Sequence, residues 1–228
     1  MKREIIKTGD GSATIYLPEW NEHYHSKHGA VQEALHVFIK SGLNHFIDKY
    51  SASKAAILEI GFGTGLNALV TYLEALKRAV AIEYTGVEAY PVSSDELEHL
   101  DYSGLFEAEE GVLKKIFEQI HQSSWDEKEE ISAVFQLTKQ QKFFAEIEES
   151  EKFDLVFFDV FGPRVQPELW TEEIFSKMFR ALRSGGVLVT YSAKGSVRRA
   201  MQAVGFEVER IPGPPGKREM LRATKPSG

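Results

Sequence analysis

The sequence predicts an α/β protein: a doubly wound, largely parallel sheet closed by an antiparallel pair of strands and preceded by a small N-terminal appendage. Three observations carry this. Short apolar runs bounded by turn residues alternate with amphipathic stretches of helical length, the pattern of repeated strand–helix units. The clearest runs, Lys54–Ile60 (KAAILEI) and Phe153–Phe158 (FDLVFF), are apolar almost throughout, as strands covered on both faces must be. After the last helical stretch, two strand-like segments face each other across a Pro/Gly loop at residues 211–216.

Taken in order, residues 5–17 predict a hairpin around Gly9-Asp10-Gly11, and residues 29–49 a helix. Residues 1–50 are read as a lid or substrate-side appendage, and 51–228 as the domain proper. The Lys54–Ile60 strand meets a tight turn at Gly61, and residues 66–79 follow as a helix with Leu66, Leu69, Val70, Leu73 and Leu76 on one face. Residues 82–87 make the next strand, ending at Glu88. Pro91 can open a helix through Leu100, because only a first turn spares the missing N–H. A helical insertion is expected at 105–125, a third strand at 131–137 and a helix at 140–149. Beyond Phe153–Phe158, residues 167–183 read as a helix, Ser184-Gly185-Gly186 as a turn, 187–191 as a strand and 196–204 as the last helix. Residues 206–210 and 219–223 form the closing pair.

With 228 residues, 43% of them apolar and 27% charged, the chain suits one ordinary globular domain. The absence of cysteine excludes disulfides and thiolate metal sites and fits a reducing compartment. The opening Met1-Lys2-Arg3-Glu4 lacks the apolar stretch of a signal peptide, and no run is long enough to span a membrane, so a cytoplasmic protein is expected. The net charge of −7 by itself argues against nucleic acid. Its distribution does not: residues 176–228 hold 11 Lys and Arg against 3 Glu, whereas residues 1–175 hold 16 basic against 31 acidic residues. Such asymmetry points to a polyanion partner, the alternative being charges scattered over a solvated surface.

The strongest local signal is Glu59-Ile60-Gly61-Phe62-Gly63-Thr64-Gly65, between a strand and a helix. Glycines there permit a sharp turn and let a ligand approach the backbone. A dinucleotide fingerprint would need glycine at position 66, which is Leu66. Glu88 ends the second strand, where an acid meets a ribose and accepts from both hydroxyls. Asp159 ends the fourth strand, on the side of the sheet that faces the ligand crevice, and can hydrogen-bond an attacking amine. Trp170 has two readings, packing on the sheet or stacking on a base, of which packing is the commoner. His23, His25 and His28 have no accompanying acid or cysteine pattern, so no metal is expected, and His36 reads as a satisfied core histidine. Lys194, Arg198, Arg199, Arg210, Lys217, Arg218 and Arg222 make up the late basic set.

These motifs resemble the methyltransferase half of the bifunctional tRNA 5-methylaminomethyl-2-thiouridine biosynthesis proteins and their stand-alone relatives, a branch of the class I, Rossmann-like methyltransferases. The likeness runs from about Tyr24 to Ala223. It rests on His28-Gly29-Ala30-Val31-Gln32-Glu33 with His36-Val37-Phe38, on Gly61-Phe62-Gly63-Thr64-Gly65-Leu66-Asn67, and on Asp159-Val160-Phe161-Gly162-Pro163 with Pro167 and Trp170. Val197-Arg198-Arg199 and Lys217-Arg218-Glu219-Met220-Leu221 complete it. The glycine loop is shared across the superfamily; the ordered set is far more specific.

The resemblance implies methyl transfer from S-adenosylmethionine to the exocyclic amine of 5-aminomethyl-(2-thio)uridine in tRNA. Asp159 would be the catalytic or amine-orienting acid, and Glu33, Gly61, Phe62, Gly63, Gly65, Asn67, Glu88, Thr138 and Asp159 would surround the cofactor. Arg198, Arg199, Lys217 and Arg218 would meet RNA phosphates. Two departures stand out. Many class I enzymes follow the third strand with Gly-Asp, whose acid binds the adenine amine; here that place is Thr138-Lys139. The bifunctional proteins continue into a flavin oxidase domain, and no second glycine fingerprint stands in this chain, so a monofunctional, flavin-independent enzyme is expected. Two further readings remain: a class I methyl- or aminopropyl-transferase acting on a small amine, and a non-catalytic RNA-binding module. The intact Gly61, Gly63, Gly65, Glu88 and Asp159 weigh against the last.

Overall fold

A computed structural model of the chain describes residues 2–25, 29–100, 102 and 110–227. His28 and the start of the helix expected at 105–125 lie outside the described residues. The chain opens with a small antiparallel sheet, β1 (Glu4–Lys7), β2 (Ala13–Leu17) and β3 (Glu22–His23). A continuous helix follows as α1 (Ala30–Ala34), a π-helical stretch Leu35–Asn44 and α2 (His45–Tyr50). The remainder alternates: β4 (Lys54–Ile60), α3 (Leu66–Arg78), β5 (Ala81–Val87), α4 (Ser94–Leu97), α5 (Glu110–Gln122), β6 (Lys128–Ser132), β7 (Phe135–Gln140), β8 (Phe153–Phe158), α6 (Glu172–Ala181), β9 (Leu182–Thr190), α7 (Gly195–Ala203), β10 (Glu207–Pro212) and β11 (Glu219–Thr224).

The main sheet has the order β10-β11-β9-β8-β4-β5-β7-β6. The five strands from β9 to β7 are parallel, and an antiparallel pairing closes each edge. From β4 the chain moves outward through β5 to β7, then returns to the other side for β8 and β9. The order thus reverses at β4, where open α/β sheets leave a ligand crevice beyond the strands' carboxyl ends.

β4 and β8 read as unbroken apolar runs because each feeds two cores. Ile57, Leu155 and Phe157 pack with Phe38, Leu43 and Leu69 on one face, whereas Leu58, Val156 and Phe158 pack with Phe175 and Met201 on the other. Each such fully buried side chain contributes roughly 1.5–3 kcal/mol. The helix at 30–50 is itself a layer of the first face: a Cβ on Gly42 would stand 3.0 Å from Val189 Cγ2 and 3.2 Å from Phe157 Cε1. Of the described residues among the first fifty, Arg3, Leu17 at the end of β2, residues 20–25 and Glu33 on α1 border the crevice. Among the described residues no helix is long and apolar enough to cross a membrane.

Several expectations change. The third strand is a hairpin, β6 with β7, and β7 runs on to Gln140, so Thr138-Lys139 lies inside a strand instead of beyond its end. The helix expected at 140–149 is only the 3₁₀ turn Phe144–Glu146: Phe144 and Ile147 are buried and a Lys142–Glu149 ion pair of 3.2 Å ties the loop. Pro91 starts no helix; Ser93 and Glu96 form a capping box that opens the short α4. The helix expected at 167–183 divides into a 3₁₀ turn, Pro167–Trp170, and α6, capped by the Thr171 hydroxyl. Ser184-Gly185-Gly186 falls inside β9 as a bulge, since Phe153 pairs with Leu182 but Leu155 with Val187. Leu76 is 49% exposed, and Ala75 faces the core instead. His36 is half-buried, not core, with Nε2 2.9 Å from the Pro212 carbonyl. Trp170 packs, buried against Phe158 and Phe175.

Candidate active site

The carboxyl ends of β4, β5 and β8 converge on one cleft of about 1390 Å³. At the end of β4 the chain turns through Gly61 (φ +90°) and Gly63 (φ +51°), both in a region that L side chains avoid. A Cβ on Gly61 would lie 2.6 Å from the Asp159 carbonyl oxygen, so glycine alone lets the two strand ends meet. A Cβ on Gly63 would fill the gap to Tyr24, 3.3 Å away. The loop is therefore a bare-backbone cradle. Phe62 borders it, but its ring is buried among His121 and Trp125. Gly65 caps the N-terminus of α3 against His121 and is not brought to the cleft.

Glu88 follows β5. Its two carboxylate oxygens accept from the Gly63 N–H (3.1 Å) and the Tyr90 N–H (3.0 Å), which hold it beside the cradle with lone pairs to spare. Tyr90 and Phe143 stand at the rim, 66% and 56% exposed, with ring centroids 6.0 Å apart. Thr138 is not brought to the cleft: it pairs with Thr85 and Lys128 within the sheet. Its neighbour Lys139 is buried, with Nζ donating to the His121 carbonyl at 2.7 Å and lying over Trp125. Burial lowers the Lys139 ammonium to about 8. The place of the customary Gly-Asp is thus used to secure the end of α5 on the sheet.

Beyond β8 lies a chain of carboxyls. Asn67 Nδ2 donates at 2.8 Å both to Asp159 Oδ2 and to Glu59 Oε1, while the Tyr84 hydroxyl donates to Glu59 Oε2 at 2.8 Å. Asn67 Oδ1 is buried without a hydrogen-bond partner. Glu33, on α1, accepts from Lys217 Nζ at 2.9 Å, and that ammonium lies 3.9 Å from the centre of the Tyr191 ring. Burial, then the charge of Glu33, pushes the Asp159 carboxyl up to about 7, against the opposing pull of the Asn67 bond and Lys217. Burial raises Glu59 well above the usual carboxylate range. The loop after Asp159 is pinned from behind: Tyr191 Oη donates to the Val160 carbonyl and Trp170 Nε1 to the Phe161 carbonyl, each at 2.8 Å. An acid poised near neutrality on a rigid loop can orient an amine and exchange its proton.

Of the expected residues, Glu33, Gly61, Phe62, Gly63, Asn67, Glu88 and Asp159 meet at this cleft. Lys217, expected among the phosphate ligands, joins them there, neutralised by Glu33. Tyr191, Tyr90 and Phe143 also line the cleft and are additions that sequence reasoning misses. Glu59, part of the glycine motif but assigned no role by it, is the one acid of its strand and lies buried behind the cleft, bonded to Asn67. His25 lies between Thr14 and Thr64, and burial lowers it to about 4. Among the described residues no three His, Asp or Glu side chains are grouped to hold a metal.

The remaining late cations fall into two sets. Arg210, Arg222 and Lys225 pair with Glu219, Glu209 and Glu151. Lys194, Arg198 and Arg199, at and within α7, and Arg218, in the β10–β11 loop, have no carboxylate partner among the described residues. Lys194, Arg199 and Arg218 are exposed, and Arg198 Nε is buried without a partner.

Residues 104–226 match a family described as S-adenosyl-L-methionine-dependent methyltransferase. The chain is 30% identical over 235 residues to the tRNA 5-methylaminomethyl-2-thiouridine biosynthesis bifunctional protein MnmC of Cupriavidus metallidurans, covering 96% of this chain and 33% of that protein. For the protein of the same name from Ralstonia nicotianae the identity is 28%, over 94% of this chain and 33% of that one. The chain thus spans about a third of the length of these curated relatives. The solved structure of MnmC2 from Aquifex aeolicus matches with a TM-score of 0.80 at 25% identity, over 100% of this chain and 72% of that one. Spermidine synthase from Thermotoga maritima matches at 0.57 and 15% identity, over 99% and 69%, a likeness of fold alone.

Proposed function

The chain belongs to the S-adenosyl-L-methionine-dependent methyltransferase family, and from that premise we propose that it methylates the exocyclic amine of 5-aminomethyl-(2-thio)uridine at the wobble position of tRNA. The observation that carries the reading is Asp159: a carboxyl raised to about 7, held by Asn67 at the end of β8, in a cleft of acids suited to a cationic amine. The names of the relatives and the uncompensated cations of α7 and the β10–β11 loop support the tRNA part. We place the reaction in the cytoplasm, and as proposed it uses no flavin.

The cradle at Gly61 and Gly63, the free lone pairs of Glu88 and the orphaned Asn67 Oδ1 fit the cofactor. Glu88 would accept from the ribose hydroxyls. The exposed edge-to-face pair Tyr90 and Phe143 would offer an apolar surface for the adenine where the customary Gly-Asp acid is missing. S-adenosylmethionine supplies a methyl group on a sulfonium, which passes to a nucleophile with a free lone pair. An aminomethyl group near neutrality is largely an ammonium and has none. Asp159 accepts the amine's proton and hydrogen-bonds it, turning the nitrogen lone pair toward the methyl carbon. Exposed Arg and Lys on α7 contact phosphates without reading sequence.

A small-amine transferase is the lesser reading, since the spermidine synthase likeness is one of fold. Nucleoside mass spectrometry distinguishes the two. Purified protein, S-adenosylmethionine and tRNA carrying 5-aminomethyl-2-thiouridine should yield the singly methylated nucleoside. Transfer to a free polyamine and none to the tRNA would support the lesser reading.

A further inference from the structure

The cleft, at about 1390 Å³, exceeds the roughly 300–1,000 Å³ of a site for one small molecule. The glycine cradle, Glu88 and the Tyr90–Phe143 pair account for one part. Tyr24 reaches from Gly63 to Phe161, its ring centroid 5.1 Å from that of Phe161 and nearly perpendicular at 89°. Past it stands a second aromatic contact, Trp20 with Phe161, at 5.5 Å and 82°. All three rings are half-buried and line the cleft. We propose that the Trp20–Phe161 corner seats the pyrimidine ring of the substrate nucleotide, and that Arg164 is the positioning residue that holds this corner together. The inference rests on the proposed tRNA function and adds to it the place of the base.

Phe161 is two residues from Asp159, and the two backbone carbonyls around it are fixed by Tyr191 and Trp170. A ring seated on Phe161 therefore keeps a constant distance from the acid. Trp20 comes from the opposite wall, on the turn between β2 and β3, where Asn21 has φ +49°. Arg164, in the loop after β8, supports that turn. Its Nη2 donates to the Trp20 carbonyl (3.0 Å), the Asn21 carbonyl (3.4 Å) and Glu22 Oε1 (2.7 Å). The exposed guanidinium, so engaged, straps the small sheet to the loop that carries Asp159 and Phe161. RNA loops are read by splaying a base out and stacking it on aromatic side chains. An uncharged aromatic corner next to a cluster of acids suits an uncharged pyrimidine bearing an aminomethyl cation.

The test compares Trp20→Ala, Phe161→Ala and Arg164→Gln with the natural protein in single-turnover methylation of tRNA carrying 5-aminomethyl-2-thiouridine. Loss of one base–aromatic stack should raise KM for the tRNA about tenfold or more. S-adenosylmethionine affinity by calorimetry should stay within about twofold, and the salt dependence of tRNA binding should keep its slope, because every phosphate ligand is retained. Trp20→Phe should restore most of the binding. Arg164→Gln should raise KM while leaving the rate at saturating tRNA nearly unchanged. Where Phe161→Ala does not fold, Phe161→Leu keeps the volume and carries the same test. Unchanged KM in the Trp20 and Phe161 variants would overturn the inference and leave the proposed function standing. Loss of cofactor affinity in them would overturn it too, by assigning the corner to the cofactor. If the natural protein methylates no tRNA at all, both readings fall.

Discussion

The acids of the cleft and the cations of α7 differ in every respect that governs how a charge behaves. Glu33, Glu59 and Asp159 sit at the ends of elements that meet inside the molecule, tied to Lys217, Tyr84 and Asn67, and burial pushes Glu59 and Asp159 toward their neutral forms. Arg199 and Arg218 are exposed and Arg198 is half-exposed, none with a carboxylate partner among the described residues. A formal net charge of −7 merges these two populations and conceals both. Under the proposed function, the first region is suited to receive an amine and the second a phosphate backbone. The largest perturbation that separates them is at Asp159. Asp159→Ala should keep most cofactor binding and tRNA binding yet lose roughly 10²–10⁴-fold in single-turnover rate. Asp159→Asn should be nearly as impaired, because an amide hydrogen-bonds but does not usefully take the proton.

The next effect is on the cofactor alone. Glu88→Ala removes hydrogen bonds to a carboxylate worth roughly 1.5–3 kcal/mol each, so S-adenosylmethionine should bind at least tenfold more weakly by calorimetry. Unchanged affinity would take Glu88 out of the site. On the basic side, replacing Arg198, Arg199 and Arg218 together should raise KM for tRNA. It should also flatten the salt dependence by about one unit of slope for each phosphate no longer neutralised, with cofactor affinity unaltered. An unaltered slope would mean that the RNA docks elsewhere.

The smallest effect is on stability, and its sign follows from the raised carboxyl. Asp159 moves from an ordinary value of 3.8 to about 7 in the fold, so between those values the native state holds a proton that the unfolded chain has lost. Its contribution is therefore fully present below about pH 4 and declines as pH rises to about 7. Asp159→Asn should raise the melting temperature of the free protein at about pH 8 and leave it nearly unchanged at about pH 4. The opposite order would mean that the carboxyl is not raised.

Much of this is legible in the sequence where local pattern and topology decide. β4 and β8 stand out because both faces are buried, and the strand-end rule alone puts Gly61, Glu88 and Asp159 at one crevice. The same rule misplaces Thr138, because β6 pairs with β7 and lengthens it to Gln140, which moves the strand's end past that residue. Gly65 belongs to the glycine motif by spacing, but its neighbour in space is His121, from a helix far along the chain. Lys217 reads as one basic residue among several; its partner Glu33 lies 184 residues away, and only the fold sets them together. Side-chain destinations that depend on such distant partners leave no periodic trace.

The central claim is that proton handling belongs to the cleft and docking to the cations. It is tested most directly by measuring tRNA affinity and saturating single-turnover rate side by side for Asp159→Asn and for the triple Arg198, Arg199 and Arg218 variant. The account predicts that the first loses rate at unchanged tRNA affinity, and that the second loses affinity while its rate at saturation is retained. Loss of tRNA affinity in Asp159→Asn together with an intact rate, or a rate lost at saturation in the arginine variant, would contradict it.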